Sequence, residues 1–584
     1  DQIREVIINL ELDGHASRLA MEEEPAEGGV FVWYRAGFVM TQESVRYHFI
    51  IRLKDGNTLL YTRGRVTPYH PDTDRDFVLE TARPAPDWVK RSVFYQIFPD
   101  RFAPDNRTTG VKTGEYTYDG GTARALAWTD TPLEYREGHC LDFFNGTLRG
   151  IEEKIPYLKS LGVTALYLNP IFTAKTTHRY DCIDYFHVDP HLGGDEALVS
   201  LSAALHREGM RLILDVSINH TGADHPWFVR ALADPDCEEA GYYYRNPDGN
   251  FAFWFDTPTL PQLNYGSPAV WETIISGEES LVRHYIKPPF NVDGWRFDVG
   301  SMTGRRGSDQ FSHEIFTAIS KRVREVKPDA YLIGEQWEDP VPYLRGDQWD
   351  SAMNYFASCR PLRRFAGELD RFIQWTEAAS TAPPTTGEDL RAQITQHFDR
   401  IPDRLVNLQF NLLDSHDLHR MHHHAAIHHP ALYKGLTAFL FLLPGTPSIY
   451  YGDEIGIAGH DRTVEGCRNP MPWDESGWDR ERLAFFRMLT TLKLQEQALH
   501  EGMLFLPYAD ETGCLLVRAF RQDGFAVFLN RSRAPRTVTL PLLGVGATAA
   551  ENLESGERFA LKDGNLSLKL GPCESPVLRL VLTP

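Results

Sequence analysis

The apolar and polar positions change rhythm twice along the chain. From residue 1 to about 88, short apolar runs alternate with polar turns: Val6-Ile-Ile-Asn-Leu, Val30-Phe-Val-Trp-Tyr, Tyr47-His-Phe-Ile-Ile-Arg-Leu and Thr58-Leu-Leu-Tyr. Runs of this length and spacing predict a small β-sandwich. Thr81-Ala-Arg-Pro-Ala-Pro-Asp then interrupts the pattern, and a domain boundary is expected in it.

From Ser92 the rhythm becomes strand, loop, helix. The strand-like runs are Val93-Phe-Tyr-Gln-Ile-Phe, Ala165-Leu-Tyr-Leu, Arg211-Leu-Ile-Leu-Asp-Val, Gly294-Trp-Arg-Phe-Asp, Tyr331-Leu-Ile-Gly-Glu, Ser351-Ala-Met-Asn-Tyr, Leu405-Val-Asn-Leu-Gln-Phe and Ser448-Ile-Tyr-Tyr-Gly. Helical periodicity fills many intervals between them, as at residues 151–161 and 310–326. Eight strands alternating with helices predict an α/β architecture, a (β/α)8 barrel over residues 89–500. The interval after the third strand is too long for one helix, so residues 222–270 are expected to form an inserted subdomain. Beyond residue 500 the short β-type runs return, as in Cys514-Leu-Leu-Val-Arg-Ala-Phe and Leu566-Ser-Leu-Lys-Leu. Residues 501–584 are therefore read as a second terminal β-sandwich, matching the one over residues 1–88.

Composition narrows the function. With 584 residues the chain exceeds one ordinary core. A net charge of −20 argues against nucleic acid and anionic membrane as partners, since both need clustered Lys and Arg. No apolar run is long enough to predict a membrane span. The chain opens at Asp1 with no charged-then-apolar signal segment, which leaves open a trimmed leader. Seven scattered cysteines, never in a C-x-x-C pair, read as reduced thiols of a cytoplasmic protein. The 12 Trp, 33 Phe and 24 Tyr supply flat faces suited to sugar rings.

The chemistry sits at the ends of the expected strands. Arg296 and Asp298 are two apart and so share one face of the fourth strand. An Arg beside an Asp keeps the carboxylate ionised and oriented, though a structural ion pair reads the same way. The third strand ends Asp215-Val-Ser-Ile-Asn219-His220, the fifth at Glu335, and the seventh runs into Asp414-Ser-His416-Asp417. Catalytic residues of barrel enzymes occupy these carboxyl ends. Several carboxylates, two His and one Arg at one mouth are costly to assemble for stability alone.

These motifs resemble the α-amylase family of retaining glycoside hydrolases, within it the neopullulanase, cyclomaltodextrinase and maltodextrin glucosidase group. The matching segments are Asp215-Val-Ser-Ile-Asn-His220, Gly294-Trp-Arg-Phe-Asp298, Gly334-Glu335-Gln-Trp337, Leu413-Asp-Ser-His-Asp417 and Leu260-Pro-Gln-Leu-Asn264. Phe94-Tyr-Gln-Ile-Phe-Pro-Asp-Arg-Phe and His178-Arg-Tyr180-Asp181 fit as well. The resemblance covers about residues 90 to 480. It implies that Asp298 attacks the anomeric carbon while Glu335 protonates the leaving oxygen and later deprotonates water. Glu335 must hold a proton as substrate arrives, and like-charge repulsion from neighbouring acids favours that. Asp417 is implied to grip sugar hydroxyls, with His220 and His416 donating to the same ring and Tyr180 stacking beneath it. Asp181, Arg296, Trp337 and Arg468 complete the implied substrate-binding set, Trp337 as a platform for leaving-group sugars.

Three departures qualify the resemblance. The acid three residues before Cys467 that relatives pair with Arg468 is Val464 here, so Asp461 or Glu465 must substitute. Where several relatives carry a calcium-binding Gly-Gly-Asp-Leu, this chain has Asn145-Gly-Thr147-Leu, which leaves a calcium site to Asp105 and Asn106. The loop after the fourth strand, residues 299–309, is long, as in maltodextrin glucosidases. No cofactor is required and no metal ligand is assigned. The histidine run from His419 to His429 pairs His424 with His428 at helical spacing, a zinc pattern. Lacking a placed carboxylate or Cys, it is read as a solvated loop.

The reading is a cytoplasmic hydrolase of short α-1,4-linked maltodextrins, with maltodextrin or cyclodextrin as partner. A maltodextrin glucosidase releasing glucose leads. The alternative is a neopullulanase or cyclomaltodextrinase releasing maltose or panose. A non-catalytic carbohydrate-binding or transporter-associated barrel is a third reading, and all three acids speak against it. The resemblance also implies a homodimer through the N-terminal domain.

Overall fold

The computed structural model describes residues 2–12, 14–25, 32–63, 66–70, 72–80, 85–368, 385–424 and 429–582. Residues 30–31 of the second expected N-terminal run and residues 81–84 of the expected linker lie outside these, as does His428.

At the centre lies a barrel of eight strands: β1 (Phe94–Ile97), β2 (Ala165–Leu168), β3 (Arg211–Val216), β4 (Gly294–Phe297), β5 (Tyr331–Gly334), β6 (Ser351–Ala352), β7 (Phe410–Leu412) and β8 (Thr446–Tyr450). Hydrogen bonds link them in the order β6-β5-β4-β3-β2-β1-β8-β7, all parallel. A parallel bridge from Met353 to Phe410 joins the two ends of that order. All residues of β1, β2, β4 and β5 are buried. Burial on both faces is why these strands read as unbroken apolar runs. Tyr95, Tyr167, Tyr331 and Phe410 are among the large side chains buried in the core.

One strand was misplaced by the apolar pattern. The seventh was expected over residues 405–410, yet Asp403–Val406 is a helical turn and β7 begins at Phe410. Leu405 is buried either way, so periodicity in a short apolar run cannot separate turn from strand. The helix expected over 151–161 is two, Leu148–Glu153 and Ile155–Ser160. Pro156 sits in the first turn of the second, where its missing N–H costs nothing.

The segment after β3 is joined to the barrel mouth by the bridge His220–Gln262, and a bridge within it pairs Tyr243 with Leu263. Its own core is aromatic, with Phe228 edge-on to Tyr243 and Phe251. Before the barrel, six strands between Ile3 and Glu80 form one antiparallel sheet. After it, a six-stranded sheet and a two-stranded sheet, Arg536–Pro541 with Asn565–Leu570, enclose an apolar core of Leu515, Phe528, Val538 and Leu568. All seven cysteines are free thiols.

Candidate active site

Register brings the charged residues together. Asp215 of β3 and Arg296 of β4 are paired across the sheet, and Arg296 is fully buried. The strands approach closely there: a β-carbon on Gly294 would lie 2.0 Å from the Tyr331 carbonyl oxygen. Arg296 Nη1 donates to Asp215 Oδ1 at 2.9 Å and to Asp298 Oδ1 at 2.9 Å. Its Nη2 is 3.0 Å from Glu335 Oε2. One guanidinium therefore holds both acids of the expected pair and their neighbour. Among the described residues, Asp215 also accepts from Tyr167 at 2.7 Å and from Tyr180 at 2.9 Å.

Glu335 follows Gly334, against which the Trp349 ring packs; a β-carbon there would meet the ring at 2.2 Å. Its carboxyl is held from two further sides. Val299 N–H donates to Oε2 at 2.7 Å, and Trp337 Nε1–H donates to Oε1 at 2.9 Å. Trp337 is fixed in turn by stacking on Tyr355, ring centroids 3.6 Å apart and planes 7° apart.

The histidines are wired differently from one another. Gln96 Nε2 donates to His416 Nδ1 at 2.9 Å, which places the His416 proton on Nε2. Nε2 then donates to the Tyr180 hydroxyl at 2.6 Å, and that hydroxyl donates onward to Asp215. His416 Nε2 is also 3.2 Å from Asp417 Oδ2. His220 contacts Ser217 Oγ at 3.1 Å and lies beside Trp254, ring centroids 5.5 Å apart. Arg468 donates to the His416 carbonyl at 2.9 Å and reaches Asp417 Oδ1 at 3.4 Å. Its acidic partner is buried Glu465 at 3.1 Å, which fills the role that Val464 cannot.

Electrostatics follow from burial. Burial pushes the Asp298 carboxyl well above the usual carboxylate range; Arg296 pulls it back, and Glu335, Asp215 and Asp417 push it further up. Asp215 is raised by burial too, again against Arg296. The Arg296 guanidinium that Asp215 and Asp298 share works against that burial and favours their ionised forms. Burial, with Arg296 and Arg468 adding to it, drives His416 far below its usual value, and burial lowers His220 to about 3. Both rings are neutral.

Most of the expected set thus converges on one mouth: Asp298, Glu335, Asp417, Tyr180, His220, Arg296, Trp337, His416 and Arg468. Asp181 is occupied elsewhere. Its carboxyl, pushed by burial to about 6, accepts the Thr176 hydroxyl and the N–H groups of Thr176 and Lys175. It organises the loop that carries Tyr180. Residues that sequence reasoning passed over are Val299, Tyr355, Gln96 and Trp254. Only Trp254, in an aromatic-rich insertion, left a signal in composition. The long loop after β4 folds into a hairpin, Arg305–Arg306 with Asp309–Gln310. Arg306 ties it to Gln262 at 2.9 Å and to Asn246 in the inserted segment.

The loop around Asp105 does not fit a calcium ion. Asp105 Oδ2 accepts the hydroxyls of Thr147 at 2.6 Å and Thr108 at 2.7 Å, and Oδ1 accepts the N–H groups of Arg107 and Thr108. Asn145 is committed to the backbone of Val111 through both ends of its amide. Donors surround the carboxylate where a cation would need acceptors. Part of the histidine run departs from expectation: residues 421–423 form a one-turn helix, Met421–His423, in which Met421 and His422 are buried and not solvated.

Residues 96–489 match the family described as alpha amylase, catalytic domain. A cyclomaltodextrinase of Geobacillus thermopakistaniensis (strain MAS1) is 31% identical over 566 residues, spanning 93% of this chain and 87% of that protein. An intracellular maltogenic amylase of Bacillus subtilis (strain 168) is 31% identical over 518 residues, spanning 86% of this chain and 80% of that protein. A solved cyclomaltodextrinase structure superimposes with a TM-score of 0.75 at 26% identity, covering 99% of this chain and 94% of that one. The chain, with its eight-stranded barrel and acids gathered at the strand ends, belongs to the α-amylase family of glycoside hydrolases.

Proposed function

We propose that this α-glucan hydrolase works by retention on short α-1,4-linked maltodextrins and cyclodextrins, as a cyclomaltodextrinase or neopullulanase releasing maltose or panose. The observation carrying it is the single guanidinium of Arg296 on both Asp298 and Glu335. Retention needs two carboxyls roughly 5–5.5 Å apart, and a shared guanidinium keeps them close. Asp298 attacks the anomeric carbon, and Glu335 as general acid delivers a proton to the leaving oxygen. A covalent glycosyl-enzyme results. Glu335 then takes a proton from water, which displaces the sugar from Asp298. Asp417 and neutral His416 hold the hydroxyls of the reacting ring, while Tyr180 lies beneath it and His220 donates from the side. Arg468, balanced by Glu465, orients Asp417. Asp181 contributes by shaping the Tyr180 loop.

The expectation that put a maltodextrin glucosidase first gives way to its alternative. The names of the relatives support ring-opening and maltose-forming activity, and the hairpin after β4 leans on the inserted segment. Early digests of maltoheptaose, β-cyclodextrin and pullulan test this. Rapid ring opening with maltose, or panose from pullulan, is expected. Glucose from maltoheptaose with intact β-cyclodextrin would restore the glucosidase. The same reading includes a cytoplasmic location and a homodimer through the N-terminal sheet, the latter checked by light scattering on the eluting protein.

A further inference from the structure

The histidines that follow Asp417 have no part in the reaction above. Glu368, His419 and His424 nevertheless gather in space, with one ligand atom from each within 4.8 Å of the others. They come from separate stretches: Glu368 follows the helix Arg360–Ala366, and both histidines follow β7. We propose that Glu368, His419 and His424 form a binding site for a divalent transition metal ion of the zinc class, beside the loop that carries Asp417.

The donor set decides the class of ion. Two imidazole nitrogens and one carboxylate oxygen suit zinc and its neighbours, whereas calcium and magnesium ask for oxygen throughout. Bonds of about 2.0–2.2 Å in a tetrahedron put adjacent ligand atoms about 3.4 Å apart. Glu368 Oε1 and His419 Nε2 stand 2.8 Å apart, and the two imidazole centroids are 5.1 Å apart with planes at 32°. Small side-chain rotations close such a set on one ion.

A second observation points the same way. His424 Nδ1 is shielded from solvent and has no hydrogen-bond partner among the described residues. Leaving a buried ring nitrogen unsatisfied costs about 1–3 kcal/mol. His419 Nε2 already stands against Glu368 Oε1, at 2.8 Å. An ion held between Glu368 and His419 would give the His424 ring a partner as well.

The carboxylate is braced from behind. Arg363 donates to both oxygens of Glu368, Nη2 to Oε1 at 2.9 Å and Nε to Oε2. Each carboxylate oxygen has two lone pairs, so Oε1 keeps one for an ion. Bracing of this kind orients a ligand and also draws charge from it, so binding is reversible by a chelator. Three protein ligands leave the fourth position to water. The nearby trio Asp414, His422 and Asp453 lies deeper, with all three residues buried.

The test uses the whole chain without a polyhistidine tag, stripped with a chelator and titrated with Co²⁺, then Zn²⁺. One Co²⁺ per chain is expected, with the visible absorption of a tetrahedral site, displaced by one Zn²⁺ in calorimetry. His424→Ala and His419→Ala, each first checked for a wild-type thermal transition, should weaken binding about tenfold or more. His424→Gln or His419→Gln replaces the corresponding variant if it fails to fold. His460→Ala should bind as the wild type does. A wild-type chain that takes up neither ion overturns the proposal, and so does binding that survives loss of both His419 and His424.

Discussion

Val299 donates its N–H to Glu335 Oε2 at 2.7 Å from a left-handed backbone, φ 40° and ψ 42°. A β-branched residue in that region is strained by about 1–3 kcal/mol, and such strain gathers at functional sites. The strained residue directly follows Asp298, so one backbone turn links the expected nucleophile to the expected acid. Val299→Gly keeps the N–H and removes the steric penalty. It should change unfolding free energy by less than about 1 kcal/mol and keep maltodextrin hydrolysis within about tenfold. Urea unfolding that shows a loss above about 3 kcal/mol would mean the left-handed turn is wrong.

Trp337 serves Glu335 in a second way, through its indole N–H at 2.9 Å. Trp337→Phe retains a ring to stack on Tyr355 and deletes that donor. The expected outcome is a fall in kcat of about ten- to a hundredfold, with the thermal midpoint almost unmoved. Unchanged kcat would remove Trp337 from the acid's support and leave it a sugar platform alone.

Asp399 sets a prediction on pH. Burial pushes its carboxyl up to about 7, against Arg63 and Arg75 pulling it down. The folded value lies above the usual carboxylate value of about 4. Its contribution to stability is therefore fully present below pH about 4 and lost as pH rises to about 7. Above that the folded chain carries a poorly solvated charge. Asp399→Asn should leave the thermal midpoint unchanged near pH 4 and raise it at pH 8. A variant curve parallel to the wild type across that range would contradict the sign.

Calcium supplies a simpler check. With Asp105 ringed by the hydroxyls of Thr108 and Thr147, added Ca²⁺ should not raise the thermal midpoint of the chelator-treated chain. A clear rise, abolished by Asp105→Asn, would put the ion back.

The barrel was legible because its strands are buried on both faces and so appear as apolar runs ending in charge. Asp298, Glu335 and Asp417 stood out for the same reason: acids at the ends of apolar strands have few structural uses. What failed to show depends on closeness in space. Leu405 looked like strand because a buried turn and a buried strand share an apolar pattern. The supports of Glu335 come from a positive φ at Val299 and from the stacking of Trp337 on Tyr355, neither of which has a period. Glu368 lies far from His419 in sequence, so the carboxylate missing from the histidine run was invisible until the chain folded.

The central claim is covalent catalysis by Asp298 with Glu335 as the acid. Incubating Glu335→Gln with an activated maltosyl fluoride, then weighing the intact protein and its peptides, tests it most directly. The leaving fluoride needs no acid, while breakdown of the intermediate needs the missing base, so the glycosyl-enzyme should accumulate. One maltosyl unit on the peptide containing Asp298, absent in the Asp298→Asn control, is the predicted result. A label on another residue, or wild-type hydrolysis of maltoheptaose by Glu335→Gln, would contradict the account.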